Sequence, residues 1–304
     1  MTIRLTPETA PTRIENAATV VLLRDCEPNQ SGLEVFLMRR ATEASVHGGV
    51  HVFPGGKVDP ADWLLAPQAL DRPATELHIA LSEPELTPAH AVAIHVAAVR
   101  ELFEESGVLL SVAPPPWPTA DVSAARDVPN LQVEAARTLP FNTMAQRLRV
   151  QLAVSALAPW SRWITPEIPG LARRRFDTRF FVAQVPAGQQ PAVADRESTE
   201  GRWLTPRAAL ALYWDRAIDL APPQIITLAH LARFASAQDA LTAARSTLPR
   251  LVQPMHREID ALRFICYPGD VHHAEPEPAF PGVSRLVQRN GRFEPEAGFE
   301  SLFG

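Results

Sequence analysis

The chain has 304 residues, of which 46% are hydrophobic and 21% are charged, and its formal net charge is −5. This composition is typical of a globular protein with one or two domains, and the only two cysteines, Cys26 and Cys266, are too few and too far apart for a disulfide scaffold. The acidic balance and the lack of a basic block argue against nucleic-acid binding. The sequence has no run of about 18 apolar residues, so we predict no membrane-spanning helix.

The N-terminal segment is polar and broken by prolines, so it lacks the pattern of a signal peptide. The sparse cysteines fit a reducing compartment. We therefore expect a cytoplasmic protein that acts without a membrane or a nucleic acid partner.

The first predicted elements are a hairpin and a glycine turn. Residues 18–25 and 33–40 are rich in Val, Leu and Phe and flank the turn-forming stretch EPNQSG, a pattern typical of two antiparallel strands. A short strand follows and ends in a Pro-Gly-Gly turn at residues 54–56. Residues 63–87 are broken by prolines and mixed in character, so we expect an inserted loop that can include a short helical turn.

A long helix is predicted to follow this insert. Thr87 suits the N-cap position, and Pro88 suits the first helical position, where no backbone N–H is needed. Residues 89–106 contain neither glycine nor proline, and Gly107 suits the left-handed residue that ends a helix. These signals predict a helix over about 88–106, which at 1.5 Å per residue is roughly 28 Å long.

The second half of the chain is predicted to add further strands and helices. Strands are expected at 108–112, 173–185 and 201–205, and helices at 131–150, 206–214 and 222–247. This order of elements predicts an α+β or α/β domain.

Three glutamates crowd the end of the predicted long helix, in the stretch RELFEESGV. Glu101 and Glu105 are four residues apart and share a helix face, with Glu104 beside them, so their like charges repel. A divalent metal would relieve this repulsion, and Mg²⁺ and Mn²⁺ prefer oxygen ligands, whereas zinc usually takes histidine or cysteine. Taken alone, such a cluster is more often a solvated acidic face, and a glycine pair is usually an ordinary turn.

Together, the glycine turn and the acidic helix resemble the motif of the Nudix hydrolase family. The Nudix box reads G, five residues, E, seven residues, REUxEExGU, where U is an aliphatic residue. Gly56 matches the first glycine, and the stretch from Arg100 to Val108 matches the second half. Asp62 stands where the pattern has glutamate, and 37 residues instead of seven separate it from Arg100. Because surface loops lengthen at modest entropic cost, we expect the insertion to bulge outward and to leave the motif intact.

The resemblance implies a Nudix fold, an α+β architecture of the α/β/α sandwich type with a mixed sheet between helices. We place this domain at residues 15–250, with the insert at about 63–87. Residues 251–304 are expected to form a C-terminal extension that packs on the same domain.

The resemblance also implies a catalytic site for hydrolysis of a nucleoside diphosphate linked to another group. Its metal ion, Mg²⁺ or Mn²⁺, would be held by Glu101, Glu104 and Glu105, with the Gly55 carbonyl as an extra ligand. Arg100 is expected to hold the glutamates or the turn in place by charge-assisted hydrogen bonds.

The stretch before the glycine turn, FLMRRATEASVHGGVHVFPGG, narrows the substrate. It resembles the motif of coenzyme A-cleaving Nudix enzymes at Arg40, Ala41, Gly49 and residues 53–56, although Ser45 replaces a second arginine. Because of its long insert, the chain also resembles the branch of the family that includes the mammalian peroxisomal coenzyme A diphosphatase. The resemblance therefore implies hydrolysis of coenzyme A or acyl-coenzyme A to 3′,5′-ADP and (acyl-)phosphopantetheine. ADP-ribose, dinucleotides and nucleotide sugars stay open as alternative substrates.

Further candidate residues surround these motifs. Candidate substrate contacts are Arg40, Gly56, Lys57, Arg175 and Arg179. Guanidinium groups match phosphate geometry, but strand arginines and a turn lysine are often simply solvated. Glu197 and Glu200 precede a predicted strand, where related enzymes often supply an extra carboxylate as a metal ligand or a base; an exposed acidic loop is the alternative.

The alternative from a different class is a nucleotide-binding module on the same fold that does not hydrolyse its ligand. Such modules usually lose one of the three helix carboxylates, and all three are present here. The absence of a GxSxG motif argues against a serine hydrolase. The expected partner is a small-molecule diphosphate substrate, and because Nudix relatives are often dimers, a homodimer is an expectation from resemblance.

Overall fold

The computed structural model describes residues 14–27, 31–41, 49–113, 138–167, 174–193 and 198–304. Within these residues, a mixed nine-stranded sheet forms the centre and a four-stranded antiparallel sheet lies in the C-terminal part. The strands of the central sheet are β1 (Ile14–Asp25), β2 (Leu33–Arg40), β3 (Val50–Val52), β4 (Gly55–Lys57), β5 (Ala158–Ile164), β6 (Arg175–Gln184), β7 (Ser198–Leu204), β8 (Asp219–Leu220) and β9 (Arg250–Val252).

The central sheet has the strand order β8-β3-β2-β1-β6-β5-β9, with β4 paired to β1 and β7 paired to β2. The predicted hairpin is confirmed, since β1 and β2 pair antiparallel with Leu23 opposite Val35. The strands predicted at 173–185 and 201–205 are confirmed as β6 and β7. Strand β6 pairs in parallel with β1, which joins the second half of the chain to the N-terminal hairpin.

The helices, numbered in chain order, are α1 (Ala74–Leu81), α2 (Pro88–Ser106), α3 (Phe141–Arg147), α4 (Pro206–Trp214), α5 (Pro222–Leu231) and α6 (Ala237–Ser246). Helix α2 has the predicted bounds. The Thr87 hydroxyl accepts from the backbone N–H of His90 at 3.3 Å, and Gly107 ends the helix at φ 73°. No helix in the described part of the chain is both long enough and apolar enough to cross a bilayer.

The insert, predicted as a loop that can include a short helical turn, has more regular structure than its sequence indicates. Two 3₁₀ turns, Pro60–Leu64 and Pro67–Ala69, precede helix α1. Leu77 and Leu81 of α1 are buried in the same hydrophobic cluster as α2. The prolines that break the apolar pattern lie at the starts of these turns, where a missing N–H has no cost.

Three element predictions need correction. Residues 108–112 form no strand, because only Ser111 makes an isolated bridge, to Leu152. The helix predicted over 131–150 is the shorter α3, and residues 131–137 lie outside the described part. The helix predicted over 222–247 is two helices, because Ser236 caps the start of α6 by accepting from the N–H of Asp239 at 3.0 Å.

The central sheet is buried on both faces. In β1, Ala18, Val20 and Leu22 belong to one hydrophobic cluster, which includes residues of α1, α2 and α3. Val21 and Leu23 belong to a second cluster, which includes residues of α4, α5 and α6. Because neighbouring side chains of a strand point to opposite faces, one strand serves both cores. The predicted α+β fold with a mixed sheet between helices is therefore confirmed.

The C-terminal part forms a four-stranded sheet that we did not predict, although Asn290-Gly291 between two short apolar runs is typical of a hairpin turn. These strands are β10 (Met255–Ile259), β11 (Leu262–Cys266), β12 (Arg285–Arg289) and β13 (Arg292–Pro295). Tyr267 and Leu286 are fully buried in the second cluster, and the Tyr213 hydroxyl of α4 donates to the Phe293 carbonyl at 2.8 Å. The four-stranded sheet thus packs on the α4 side of the central sheet.

Candidate active site

The glycine turn places β4 directly against β1. In this antiparallel pair, Gly55 lies opposite Thr19 and Gly56 lies opposite Ala18. A Cβ atom on Gly55 would lie 2.5 Å from the Ala18 carbonyl oxygen. A Cβ atom on Gly56 would lie 2.8 Å from Glu101 Oε2 and would overlap the rest of that carboxylate. Glycine is therefore required at one position by the backbone of β1 and at the other by a glutamate of α2.

Helix α2 presents its glutamates beside this turn because its opposite face is buried. Leu102 and Phe103 are at most 1% exposed and lie in the first cluster. The Glu101 side chain is 16% exposed and that of Glu104 is 36% exposed, so both lie at the boundary of the interior. Glu105 Oε2 accepts a hydrogen bond from the Gly55 N–H at 2.7 Å, which joins the end of α2 to the start of β4.

The Arg100 guanidinium connects the glutamates, the turn and the insert. Its Nε and Nη2 donate to the two oxygens of Asp62 at 2.8 and 3.0 Å. Its Nη1 donates to Glu101 Oε1 at 2.8 Å and to Glu104 Oε2 at 2.9 Å, and Nη2 also donates to the Lys57 carbonyl at 2.8 Å. All five donor hydrogens of the guanidinium are used, so its orientation is fixed.

Asp62 positions Arg100, a role that we did not predict from the sequence. In the sequence, Asp62 is only a departure from the Nudix pattern. Its side chain is fully buried and also accepts from the N–H of Asp59 at 2.7 Å. The Asp59 carboxylate in turn accepts from the N–H of Ala61 at 2.8 Å, which completes a capping box. The spacing D-x-x-D at the start of a turn is the signal that would have placed Asp62 facing inward.

The electrostatic balance of the site is strongly negative. The carboxylates of Asp62, Glu101 and Glu104 contact the Arg100 guanidinium, and that of Glu105 lies at the Gly55 N–H of the same turn. Burial raises the pKa of Glu101 and Glu104, and the positive charge of Arg100 only partly offsets that effect. Burial by itself lowers the pKa of Arg100, but its hydrogen bonds and charge pairs with Asp62, and the charge of Glu101, raise it above its ordinary value. The site has an excess of negative charge that a cation would neutralise.

The oxygen donors at this site fit a hard divalent ion in kind. In an antiparallel pair the N–H and C=O of one residue point to the same side, so the Gly55 carbonyl lies on the side of β4 where its N–H meets Glu105. Among the described residues, no three His, Cys, Asp or Glu side chains are arranged so that they could hold a metal ion. Ion binding therefore requires that glutamate side chains turn from their present hydrogen bonds towards a common point.

Two predicted substrate contacts, Lys57 of β4 and Arg40 at the end of β2, are at least partly exposed. The Lys57 side chain is 53% exposed, and its Nζ is 3.9 Å from Glu15 Oε2. Arg40 is half-buried at the end of β2, beside the irregularity where β7 pairs with β2. Both remain candidates, whereas Gly56 acts by leaving space for Glu101.

Arg179 lies in the interior instead of at a phosphate site. Its side chain is 2% exposed. Nε and Nη2 donate to the two oxygens of Glu83 at 2.9 and 2.5 Å, and Nη1 donates to Asn16 Oδ1 at 2.6 Å and to the Asp177 carbonyl at 2.9 Å. These partners enclose the guanidinium, which argues against the predicted phosphate contact of Arg179.

The Arg175 guanidinium likewise has protein partners. It is 8% exposed, its Nε donates to the Thr165 carbonyl at 2.9 Å, and its Nη1 lies 3.6 Å from Glu167. Arg175, Asp177 and Arg179 are all buried, which agrees with the one face of β6 that strand alternation assigns to them. This face packs inward, so neither arginine is available to a ligand as the side chains stand.

The two acidic candidates before β7 are separate from the α2 glutamates. Glu197 lies outside the described residues. Glu200 accepts from Arg202 Nε at 2.5 Å and lines an open cleft whose lining includes no residue of α2. The extra carboxylate that the sequence suggests is therefore not placed at the glycine turn by Glu200.

A sandwich in which a glycine turn lies against an acidic helix is the arrangement that the resemblance to the Nudix family predicts. A family model described as the NUDT19 Nudix domain matches residues 14–231. The chain belongs to the Nudix hydrolase family, as the resemblance of its glycine turn and acidic helix indicated.

Named relatives cover most of the chain. An acyl-coenzyme A diphosphatase NUDT19 from Xenopus laevis is 29% identical over 315 residues, which span 87% of this chain and 80% of the relative. The human protein of the same name is 30% identical over 271 residues, which span 75% of this chain and 71% of the relative. A crystal structure of a Nudix hydrolase from Alicyclobacillus acidocaldarius has a TM-score of 0.59 and 27% identity, and covers 79% of this chain and 99% of that one. The similarity to the long-insert branch of the family is thereby confirmed.

Proposed function

We propose that this chain uses Mg²⁺ or Mn²⁺ to hydrolyse the diphosphate linkage of coenzyme A or acyl-coenzyme A, with release of 3′,5′-ADP and (acyl-)phosphopantetheine. The observation that carries the proposal is the excess of carboxylates beside the glycine turn, where Glu101 and Glu104 share the Arg100 guanidinium and Glu105 accepts from the Gly55 N–H. The names of the frog and human relatives support the choice of substrate.

Glu101, Glu104 and Glu105, with the Gly55 carbonyl, are the residues that would hold the ion. Nudix hydrolases generally use divalent metal ions, and the donors here are the carboxylate and carbonyl oxygens that such ions prefer. When bound, an ion of this kind supplies positive charge that neutralises the diphosphate and activates water.

Arg100 and Asp62 position the carboxylates and do not themselves need to touch the substrate. The bidentate contact with Asp62 fixes the guanidinium plane, and the remaining Nη1 hydrogens hold Glu101 and Glu104 on one side of it. The Gly55 N–H restrains Glu105 in the same way. These contacts keep the three carboxylates beside the glycine turn, from which they would turn towards a bound ion.

The reaction itself is a displacement at phosphorus. Water attacks one phosphorus atom, the bond to the bridging oxygen breaks, and the departing phosphate keeps that electron pair. A nearby carboxylate accepts the proton that the water loses. The three α2 glutamates are the carboxylates that lie at the glycine turn.

The experiment that tests this function is a substrate panel of coenzyme A, acyl-coenzyme A, ADP-ribose, NADH and diadenosine polyphosphates, each with Mg²⁺, Mn²⁺ or EDTA. We expect 3′,5′-ADP from coenzyme A or its acyl ester, and none in EDTA. Cleavage of ADP-ribose or a dinucleotide alone would replace the proposed substrate. Nucleotide binding without any cleavage would identify a non-catalytic module.

The matched variants for this panel are Glu105→Gln at the site and Glu258→Gln on the exposed face of β10. Glu105→Gln is expected to reduce kcat by at least about 100-fold, because it removes one charged ligand that acts mainly in the transition state. Its free energy of unfolding should change by less than about 1 kcal/mol, as for most substitutions at a surface cleft. Full activity in Glu105→Gln would contradict the assignment of this residue.

A further inference from the structure

An open cleft of about 200 Å³ lies where strands β2, β3, β7 and the end of α4 meet. A cleft of this size has room for several waters or for one small anion. Its lining includes no residue of α2 and no residue of the glycine turn. The charged and titratable side chains that line it are Arg39, His51, Glu200, Arg202, Arg216 and Asp219.

Strand alternation places this cleft on the face of the central sheet that α4, α5 and α6 cover. In β2, Phe36 and Met38 belong to the first cluster, whereas Val35 and Leu37 belong to the second. Arg39 continues this alternation, so it shares the face of Leu37. Helix α2 packs on the opposite face with the first cluster. The cleft is therefore separate from the candidate active site.

Three of the lining side chains form a row across neighbouring strands. Arg39 of β2 is paired with His51 of β3 on one side and with Glu200 of β7 on the other. Directly paired residues point to the same face of a sheet, with Cβ atoms about 4.5–5.5 Å apart. The arrangement is therefore set by the strand register instead of by loop conformation.

His51 is the unexplained group in this row. It is 4% exposed, and neither ring nitrogen has a hydrogen-bond partner in the part of the chain that the structure describes. Burial, together with the positive charges of Arg202 and Arg39, lowers its pKa, so the ring is neutral near pH 7. A neutral imidazole has one donor and one acceptor, and leaving both buried without partners is unfavourable. A ligand in the cleft would supply a missing partner.

The charges that remain available to a ligand in the cleft are positive. Each carboxylate of the lining has an arginine partner, since Glu200 accepts from Arg202 at 2.5 Å and Asp219 lies 3.5 Å from Arg292. Arg39 and Arg216 are exposed, and neither has an ion-pair partner among the described residues. The cleft thus offers two free guanidinium groups and one imidazole N–H.

This set of donors matches a phosphate group. Guanidinium forks bind phosphate oxygens through parallel N–H groups. Arg39, His51 and Arg216 belong to three separate elements, β2, β3 and the segment after α4, so they approach the cleft from different sides. A phosphate group has at least three acceptor oxygens in a tetrahedral arrangement, whereas a carboxylate has two in one plane.

We propose that Arg39, His51 and Arg216 bind a phosphate group, either inorganic phosphate or the monoester group of a small metabolite. The site goes beyond the proposed function, because it needs neither the α2 glutamates nor a metal ion. A bound phosphate bridges β2, β3 and the segment after α4. Strand β3 has only three residues and pairs with β2 and with β8 at two positions each, so this bridge stabilises its place in the sheet.

Calorimetric titration of the whole chain with inorganic phosphate tests the site directly. EDTA removes metal-mediated binding at α2, and sodium chloride keeps the ionic strength constant. We expect saturable binding with a Kd of about 1 mM or lower, and a roughly tenfold higher Kd in Arg39→Gln and in Arg216→Gln, since each loses one charged contact. Arg289→Gln, an exposed arginine at the end of β12, is the matched control and should keep the wild-type Kd. Absence of saturable binding, or equal Kd values in all four proteins, would overturn the proposal.

The imidazole NMR signals of His51 locate the bound phosphate without any turnover. They should shift on phosphate addition in the wild type and equally in Glu105→Gln, because the α2 glutamates lie on the other face of the sheet. Phosphate binding that is lost in Glu105→Gln, or that leaves the His51 signals unchanged, would place the anion elsewhere and contradict the site. Because no hydrolysis is needed, this result does not depend on whether coenzyme A is a substrate.

Further titrations distinguish the sources of the phosphate group, with glycerol 3-phosphate as a monoester and acetate as a carboxylate. Tighter binding of glycerol 3-phosphate than of inorganic phosphate would identify a phosphorylated metabolite as the ligand, and the reverse order would identify free phosphate. Either order supports the site. Acetate that binds as tightly as phosphate would show that the cleft does not select a phosphate group and would overturn the assignment.

Discussion

At the scale of single residues, two adjacent glycines have different roles. The Cβ that an alanine would add at Gly55 meets the fixed carbonyl of Ala18, whereas the one added at Gly56 meets the end of the Glu101 side chain. Backbone in a paired strand cannot shift without loss of hydrogen bonds, but a glutamate can adopt another rotamer. Glycine at position 55 is therefore needed for stability, and glycine at position 56 is needed to place the Glu101 carboxylate of the candidate site.

The two alanine substitutions should separate these roles. Gly55→Ala is expected to lower the free energy of unfolding by about 2–3 kcal/mol, the range for an overpacked site. Gly56→Ala should cost less than about 1 kcal/mol because Glu101 turns aside, yet it should lower kcat about tenfold or more through the displaced carboxylate. Urea denaturation and steady-state kinetics measure both quantities. Wild-type kcat in Gly56→Ala would show that the position of Glu101 is unimportant.

Asp62 is needed as the buried counter-charge of Arg100. In Asp62→Asn the shape is kept but the charge that faces Arg100 is lost. We expect a loss of about 2–4 kcal/mol in the free energy of unfolding, because a buried guanidinium is left without its main counter-charge. Asp59→Asn is the matched control, since it changes only the exposed cap of the same turn and should cost about 1 kcal/mol or less. Equal stability of the two variants in urea would contradict the role given to Asp62.

At the scale of elements, the insert is held to the central sheet by buried charge. Glu83, just after α1, accepts from Arg179 of β6 and lies 2.8 Å from Arg162 Nη1 of β5. Asp177 of β6 accepts two hydrogen bonds from Arg162, at 2.9 and 2.7 Å. This network anchors the end of the insert beside the start of α2, so the added residues do not displace the helix that carries the glutamates.

Glu83→Gln should therefore destabilise the fold by about 3 kcal/mol, since it leaves Arg179 as a buried cation with fewer counter-charges. The neighbouring Glu85 offers a control, because its side chain is 56% exposed although it also pairs with Arg162. Glu85→Gln is expected to cost about 0.5 kcal/mol or less, as exposed ion pairs usually do. Chemical denaturation at the same ionic strength measures the free energy of unfolding of both variants. If Glu83→Gln is as stable as Glu85→Gln, Glu83 does not anchor the insert.

At the scale of the whole molecule, each core has a histidine that burial keeps neutral: His95 is fully buried and His230 is half-buried. His95 of α2 packs on Phe181 in the first cluster, and His230 of α5 packs between Trp160 and Phe234 in the second. Burial lowers the pKa of each to about 4, helped for His230 by the positive charge of Arg233. Each folded-state pKa lies below the ordinary value of about 6.5, so folding excludes a proton from each ring between these limits.

Stability should consequently fall as pH falls from about 6.5 to about 4, because there the unfolded chain binds protons that the folded protein does not. Each histidine contributes up to about 1.4 kcal/mol per pH unit in this window, and its contribution is fully retained above pH 6.5. Urea denaturation of the wild type and of His95→Leu at several pH values measures the slope. The variant should have a shallower slope, and identical slopes would rule out His95 as a source of acid sensitivity.

Features that depend on neighbours along the chain could be predicted from the residues alone. Thr87, Pro88 and Gly107 set the ends of α2, and the spacing of its glutamates put three carboxylates on one side of a helix. The hairpin of β1 and β2 likewise follows from two short runs of Val, Leu and Phe on either side of a turn-forming stretch. Capping, periodicity and turn chemistry act over a few residues, so they can be read without knowledge of the rest of the fold.

The contacts between distant side chains could not be predicted in this way and are known from the folded chain. Asp62 reaches Arg100 across 38 positions, Arg179 reaches Glu83 across 96, and Glu200 lines the cleft with Arg39 and away from α2. These contacts depend on strand order and register, because a shift of one residue moves each side chain to the other face of the sheet. Local sequence carries no record of which strand will lie alongside, and so it could not distinguish an arginine that binds phosphate from one that closes a buried ion network.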